Sequence, residues 1–281
     1  MLESTCIETS LGSWNQTAWI PPPGDVLHAA VDRIWDFEGR LSCARERVFP
    51  DGLLEIVVQL DEPHRPPGGA PFPALVATGL RIATESVEAP PGRCRVLGIR
   101  LRPLGAAAVL RTSMRELTGR SIALDALAGD GAATLGERLD AARTGEERVR
   151  LAYRWVRDRL ADRAPADPLV GRALAAIERD GGAGALRELA ELGGRSRSRF
   201  AARFRDDVGL SPKRYARVVR FRSALRRLAA SEDSVASIAA AAGYYDQAHL
   251  ATEFRAHAGL TPLAYRHALR YPGSDHLAEI G

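Results

Sequence analysis

Lysine is almost missing from this chain of 281 residues: of 39 basic side chains only Lys213 is not arginine. In so alanine- and arginine-rich a sequence, codon supply alone accounts for much of the arginine. Its total therefore says little about nucleic acid, and its placement has to carry that argument. Cysteine is scarce too. Cys6, Cys43 and Cys94 are widely spaced and odd in number, which excludes a disulfide framework and any CxxC metal or redox pair. They are expected to be small buried hydrophobes in a reducing compartment. No uninterrupted apolar run approaches the ~20 residues needed to span a bilayer. The opening MLESTCIETSLGSW lacks the basic-then-apolar pattern of a secretory leader, so a cytoplasmic location without a membrane partner is expected. The front half also lacks a phosphate-binding glycine loop and a paired nucleophile and base. The expectation is a protein that is not an enzyme, with no cofactor, no catalytic residue and no metal. His28 and Asp32 stand four apart, which is too small a set for a metal.

What is present is a globular balance, 46% hydrophobic and 26% charged, in a chain long enough for two domains. From residue 1 to 168 there are 21 basic and 23 acidic side chains, a balance of −2; from 184 to 270 there are 16 and 8, a balance of +8. A basic rear half behind a near-neutral front suggests a polyanion partner for the rear.

Residues 1–20 read as irregular, ended by Pro21-Pro22-Pro23-Gly24. LHAAVDRIWDF has helical spacing at Leu27, Val31, Ile34 and Trp35, while its aromatic end would equally begin a strand. Pro50-Asp51-Gly52 signals a turn, and Leu53 to Leu60 reads as a buried strand. Glu55 inside it either lines a ligand pocket or faces water. Pro63 to Pro73 is a loop. Further strands are expected at 74–83 and 95–102, where Leu97, Ile99 and Leu101 alternate with Val96, Gly98 and Arg100. The text then turns helical, over GAAAVLRTSMRELTG and again from 135 to 163. Asp162 to Pro168 breaks the pattern. The expected fold is an α+β domain over 1–165, a small β-barrel or sandwich with helices. An all-α domain of two helix-turn-helix motifs linked by a long helix follows over 169–272.

The motifs announce themselves as a repeat at an offset of 50. Phe204, Arg205, Gly209, Leu210, Pro212 and Tyr215 fall on Phe254, Arg255, Gly259, Leu260, Pro262 and Tyr265, and Phe200 falls on Leu250. Each copy reads as a short helix with an apolar face, Leu186, Leu189 and Leu192 or Val235, Ile238, Ala239 and Ala242. Gly194 or Gly243 closes it, and a second helix is capped by Ser196 or Asp246. Ser211-Pro212 and Thr261-Pro262 repeat a cap followed by proline at the first helical position. Two short helices about a glycine turn make a helix-turn-helix, whose second helix can enter the major groove. The face turned away from the core carries Ser198, Arg199, Ala202 and Arg205 in copy one. In copy two it carries Ala248, His249, Thr252 and Arg255, with Gln247 near the start. The intervening PKRYARVVRFRSALRRLAAS reads as a rod of roughly 25 Å, with Arg220, Arg226 and Arg227 outside. Such a rod suits two recognition helices set about one DNA turn apart.

Residues from about 184 to 270 resemble the DNA-binding domain of the AraC/XylS family of bacterial transcription regulators. VGLSPKRYARVVRFRSAL and IAAAAGYYDQAHLATEFRAHAGLTPLAYR carry the likeness. The resemblance implies promoter binding through two motifs per chain, usually beside a separate sensing or dimerising domain. The first copy departs from the family. Ser198, Ala201 and Ala202 stand where large base-reading side chains are usual, amid Arg195, Arg197, Arg199 and Arg203. It is expected to grip phosphates more than read bases, leaving Gln247, His249 and Thr252 to choose sequence. RVFPDGLLEIVV and VLGIRLRPLGAAAVL resemble a bacterial N-terminal domain without an assigned function that often precedes this module. The expected partner is double-stranded DNA, with a small-molecule effector, a second copy and RNA polymerase as further candidates. The rival reading, a DNA-binding module fused to an enzymatic or repair domain, needs an activated cysteine that these isolated thiols do not supply.

Overall fold

The alternation in VLGIRL is realised as the central strand of a sheet. The computed structural model describes residues 2–42, 45–161, 166–184, 197–268 and 277–279, with Arg197 and Glu279 by backbone alone. Strands β1 (Leu2–Thr9), β2 (Gly12–Trp19), β3 (Val31–Leu41), β5 (Leu54–Gln59), β6 (Leu75–Thr78), β8 (Arg93–Leu101) and β9 (Ser121–Ala123) form one antiparallel sheet, ordered β1-β2-β3-β8-β5-β6-β9. A second sheet, ordered β10-β4-β7, joins β4 (Arg45–Val48) and β7 (Glu85–Glu88) to β10 (Leu277–Glu279). Among the described residues no ladder joins β1 to β9, so the sheet is open and no barrel closes.

The first twenty residues are a hairpin rather than an irregular lead. Thr9 pairs with Gly12 across a two-residue turn, and Gly12 takes φ 131°, which favours glycine. The strands hide because β1 is an edge, exposed along most of its length; without a buried face it has no apolar alternation to read. LHAAVDRIWDF resolves as turn and then strand, with β3 beginning at Val31. The helical spacing arose because Leu27 is buried from a turn while Val31 and Ile34 are buried from the strand that follows.

One face of the large sheet presents Ile34, Ile56, Val58, Leu97, Ile99 and Leu101 to the helices. These are α1 (Pro103–Leu110), α2 (Met114–Leu117), α3 (Asp125–Ala128), α4 (Asp130–Ala141) and α5 (Gly145–Ala161). The helical text expected from 135 forms two helices, separated at Ala142–Thr144. The helical stretch after Pro103 is likewise divided at Arg111, whose φ of 55° leaves the right-handed region. Helix α5 is fixed to β3 by Arg148, 1% exposed, whose guanidinium donates to both Asp36 oxygens at 2.6 and 2.9 Å and to Glu38 at 2.6 Å. Burial raises the Asp36 pKa while Arg148 pulls it back; the two-pronged geometry establishes the pair as formed.

Beyond lie α6 (Pro168–Arg179), α7 (Arg197–Val208), α8 (Pro212–Ala230), α9 (Val235–Ala241), α10 (Gln247–Ala258) and α11 (Pro262–His267). The sheet core does not stop at α6. It continues through Val170, Ile177, Phe204 and Leu210 to Tyr215, Val218 and Val219. A second core holds Phe221, Leu225, Leu228, Ile238, Leu250, Phe254 and Tyr265, and Phe49 enters it from the sheet domain. The long helix α8 thus gives its first half to one core and its second half to the other.

Replacing Arg148 by alanine strands Asp36 in the interior without its partner. A loss of about 3–5 kcal/mol of stability is expected, measurable as a lowered urea midpoint with an unchanged slope.

Candidate nucleic-acid interface

The two copies obey one set of local rules. Phe204 and Phe254 are both fully buried, and each meets a tyrosine edge-on, Tyr215 at 6.3 Å and Tyr265 at 5.7 Å. Gly209 and Gly259, at φ 97° and 71°, each end the second helix in the left-handed conformation. Ser211 and Thr261 then cap the next helix, their hydroxyls accepting from the Arg214 and Ala264 N–H groups. In copy two Val235, Ile238, Ala239 and Ala242 are buried as the apolar face requires. Gly243 turns the chain at φ 76°, and Asp246 Oδ1 accepts from the His249 N–H at 2.7 Å. The expected first helix of copy one, with Gly194, Arg195 and Ser196, lies outside the described residues.

On α7 the side chains of Ser198, Arg199, Ala202, Arg203 and Arg205 are exposed; of Arg197 only the backbone is described. Arg203 pairs with Asp207 at 2.9 Å, whereas Arg199 and Arg205 have no carboxylate partner among the described residues. On α10, Gln247, Ala248, Thr252 and Arg255 are exposed. His249 is more engaged. Its Nδ1 accepts from the Tyr245 N–H at 3.3 Å, its ring stands edge-on to Tyr244 at 5.3 Å, and its Nε2 lies 3.9 Å from Glu253. The helix start is thereby fixed by two side chains, Asp246 and His249.

Three features escaped the sequence reading. Tyr245, 92% exposed, stands at the entry to α10. The tandem GYYD contained the signal: Tyr244 is buried against the core, and neighbours flanking a tight turn point apart. Arg220, expected outside, folds inward; its guanidinium lies 5.2 Å over the Tyr244 ring and donates to the Gly243 carbonyl. Arg217 reaches from α8 to Glu253 of α10 at 3.0 Å. These contacts set the second recognition helix against the rod, and no local periodicity encodes them.

The sheet domain holds both recognition helices near their C-terminal ends. The Thr118 hydroxyl donates to the Gly209 carbonyl at 2.9 Å, and Ser113 Oγ to the Asp206 carbonyl at 3.4 Å. The Thr84 N–H and hydroxyl both donate to the His257 carbonyl, at 3.1 and 2.5 Å. On the rod between them, buried Arg222 donates to the Asp51 carbonyl at 2.9 Å and pairs with Glu178. The Tyr215 hydroxyl donates to Glu178 at 2.6 Å.

Paired helices, a glycine-turned corner and an outward second helix define a helix-turn-helix in copy two, and copy one repeats its second helix, the glycine that ends it and the capped restart. Comparison with known proteins agrees. Residues 189–268 match the family described as a helix-turn-helix domain, and residues 20–123 match a domain of unknown function (DUF6597). A putative AraC-like transcription regulator of Streptomyces lividans is 36% identical over 102 residues, 36% of this chain and 34% of that protein. The HTH-type transcriptional activator RhaS of Pectobacterium carotovorum is 40% identical over 60 residues, 21% of this chain and 22% of that one. The C-terminal segment is an AraC-type helix-turn-helix domain. The chain spans only about a third or less of the length of these relatives. Among solved structures, ToxT from Vibrio cholerae aligns over 83% of this chain and 97% of its own at 12% identity and a TM-score of 0.41, too loose a likeness to equate parts.

Replacing Asp246 by alanine should cost about 1 kcal/mol through the lost cap, with faster amide exchange in the first turn of α10 as the diagnostic; asparagine should restore most of it.

Proposed function

We propose that this protein is a sequence-specific DNA-binding transcription regulator, reading adjacent major-groove segments with α7 and α10 under control of the sheet domain. The observation that carries the reading is the matched outward face of the two recognition helices, bearing Arg199, Arg205 and Arg255 with no carboxylate partner among the described residues. A solvated face needs no such repeat of caps and glycine corners behind it. The division of labour follows from side-chain type. Arg195, Arg197, Arg199 and Arg205 grip phosphates around Ser196, Ser198 and Ala202. Gln247 and Thr252 read base edges beside Ala248, His249 and Arg255, since amide and hydroxyl groups discriminate bases where phosphate contacts do not.

The working division falls within 162–168, with a regulatory unit over 1–165 and the DNA-binding unit over 169–272. Because the sheet domain bonds to the carbonyls of Asp206, Gly209 and His257, its conformation sets the spacing of the recognition helices. The control signal on this reading is a small-molecule effector, and the protein acts in the cytoplasm without an enzymatic step. A second copy and RNA polymerase are further partners of the kind such regulators engage.

The test is binding to duplexes from its own promoter region. Affinity should fall steeply with salt, log Kd against log salt having a slope of several units. Arg199→Ala should weaken all sequences alike and lower that slope by about 1. Gln247→Ala and Thr252→Ala should instead lose about 1–3 kcal/mol of discrimination at one base position. Salt-independent binding, equal for random DNA, would overturn the reading.

A further inference from the structure

The face of the large sheet turned away from the helices is not filled. Between it and the small sheet lies a cavity of about 200 Å³. A dry cavity of about 150 Å³ accommodates a benzene, so this space suits one ring with a short substituent. Its walls are aromatic and aliphatic: Trp14, Trp35, Phe37, Val57, Phe72 and Val96 all contribute. The Trp35 ring covers the neighbouring strand. It sits opposite Gly98 in the ladder, where any Cβ would overlap the indole; glycine there is what lets the ring lie against the strand.

The charges in this space are unequal in their engagement. Three arginines line it, and each has a carboxylate at hand: Arg33 with Asp32 at 3.6 Å, Arg81 with Glu85 at 3.2 Å, and Arg100 with Asp51. His64 is tied to Gln59, and burial lowers its pKa toward the neutral ring. Glu55 differs. It projects from near the start of β5 into the cavity, and its described hydrogen bond comes from a neutral donor, the Trp35 indole N–H, at 3.0 Å. Arg100 stands opposite it in the ladder but is engaged by Asp51, and no arginine among the described residues forms an ion pair with Glu55. A carboxylate set among aromatic walls is a natural partner for a cation, and the ring face beside it attracts the same charge.

We infer that this cavity takes an organic cation, an aryl- or alkyl-substituted amine or quaternary ammonium, whose charge meets Glu55 while its apolar body lies on Trp35. The inference rests on the regulator reading only in calling that ligand an effector; binding is independent of it. An anion would have to compete with Asp32, Glu85 or Asp51 for an arginine, the Arg100–Asp51 pair being only 13% exposed on each side, and would face Glu55.

The experiment is calorimetric titration of the full chain, without DNA, with benzyltrimethylammonium, 2-phenylethanol and 3-phenylpropionate. The cation should bind, and the neutral and anionic compounds at least roughly tenfold more weakly. Glu55→Gln keeps an acceptor for the indole and nearly the same volume, and should erase the preference for the cation while circular dichroism and melting confirm the fold. Tighter binding of 3-phenylpropionate, no binding of the cation, or an unchanged preference in Glu55→Gln would overturn the inference. Should that variant not fold, the ranking of the three compounds on the native chain decides alone. Promoter binding in the absence of any compound reports separately on the regulator reading, so that either can fail without the other.

Discussion

Buried Arg222 is the constraint on which the arrangement depends. A guanidinium inside a protein must satisfy its donors or cost several kcal/mol. Arg222 does so by pairing with Glu178 of α6 and donating to the Asp51 carbonyl in the turn before β5. Three elements distant in sequence are thereby held at one point. The Asp51 side chain meanwhile pairs with Arg100, on the cavity wall. Tyr215 completes the knot by donating to Glu178, and it packs on Phe204 of the first recognition helix. Cavity wall, rod and α7 are therefore joined through shared neighbours, the first two by hydrogen bonds and ion pairs and the last by the packing of Phe204 on Tyr215.

The hydrophobic cores reinforce the same link. If the rod α8 belonged to one core it would transmit little. Instead Tyr215, Val218 and Val219 pack with the sheet domain, and Phe221, Leu225 and Leu228 pack with the second motif. A straight helix cannot roll in one core and stay fixed in the other. The two copies of the motif consequently differ in surroundings as well as charge. Copy one, rich in arginine, is backed by Ser113 and Thr118 of the sheet domain. Copy two is braced mainly by the rod itself, through Arg217 and Arg220.

Much of the C-terminal module was legible because its determinants are local. Caps such as Asp246, corners such as Gly259 and the Phe204 and Phe254 pairs are set by neighbours within a few residues, and they recur at a fixed offset. The strands β5 and β8 were legible because one face of each is deeply buried. The hairpin of β1 and β2 was not, since an exposed edge strand carries no alternation. The roles of Arg220 and Arg222 were equally hidden. On a helical wheel both are arginines of a basic rod, and only the tertiary fold turns one onto Tyr244 and the other onto Glu178. Glu55 lay between these cases: its oddity within an apolar strand was visible, but which side it faced depended on the pairing of Glu55 with Arg100 and Thr78 in the ladders.

The segment from Arg81 to Glu85 shows how cavity and recognition helix are connected in a few steps. Arg81 and Glu85 line the cavity and pair with each other. Between them Thr84 gives two hydrogen bonds to the His257 carbonyl, in the last turn of α10. That turn carries the negative end of the helix dipole and has carbonyls without intrahelical donors. Withdrawing Thr84 would leave one of them unmet at a cost of about 1 kcal/mol or more per bond. A difference of 1.4 kcal/mol is a factor of ten in an equilibrium constant, so the position of this short loop and the last turn of α10 are energetically tied. The cavity lining and the last turn of α10 are thus joined through a segment of five residues, in which Thr84 faces the helix while Arg81 and Glu85 face the cavity.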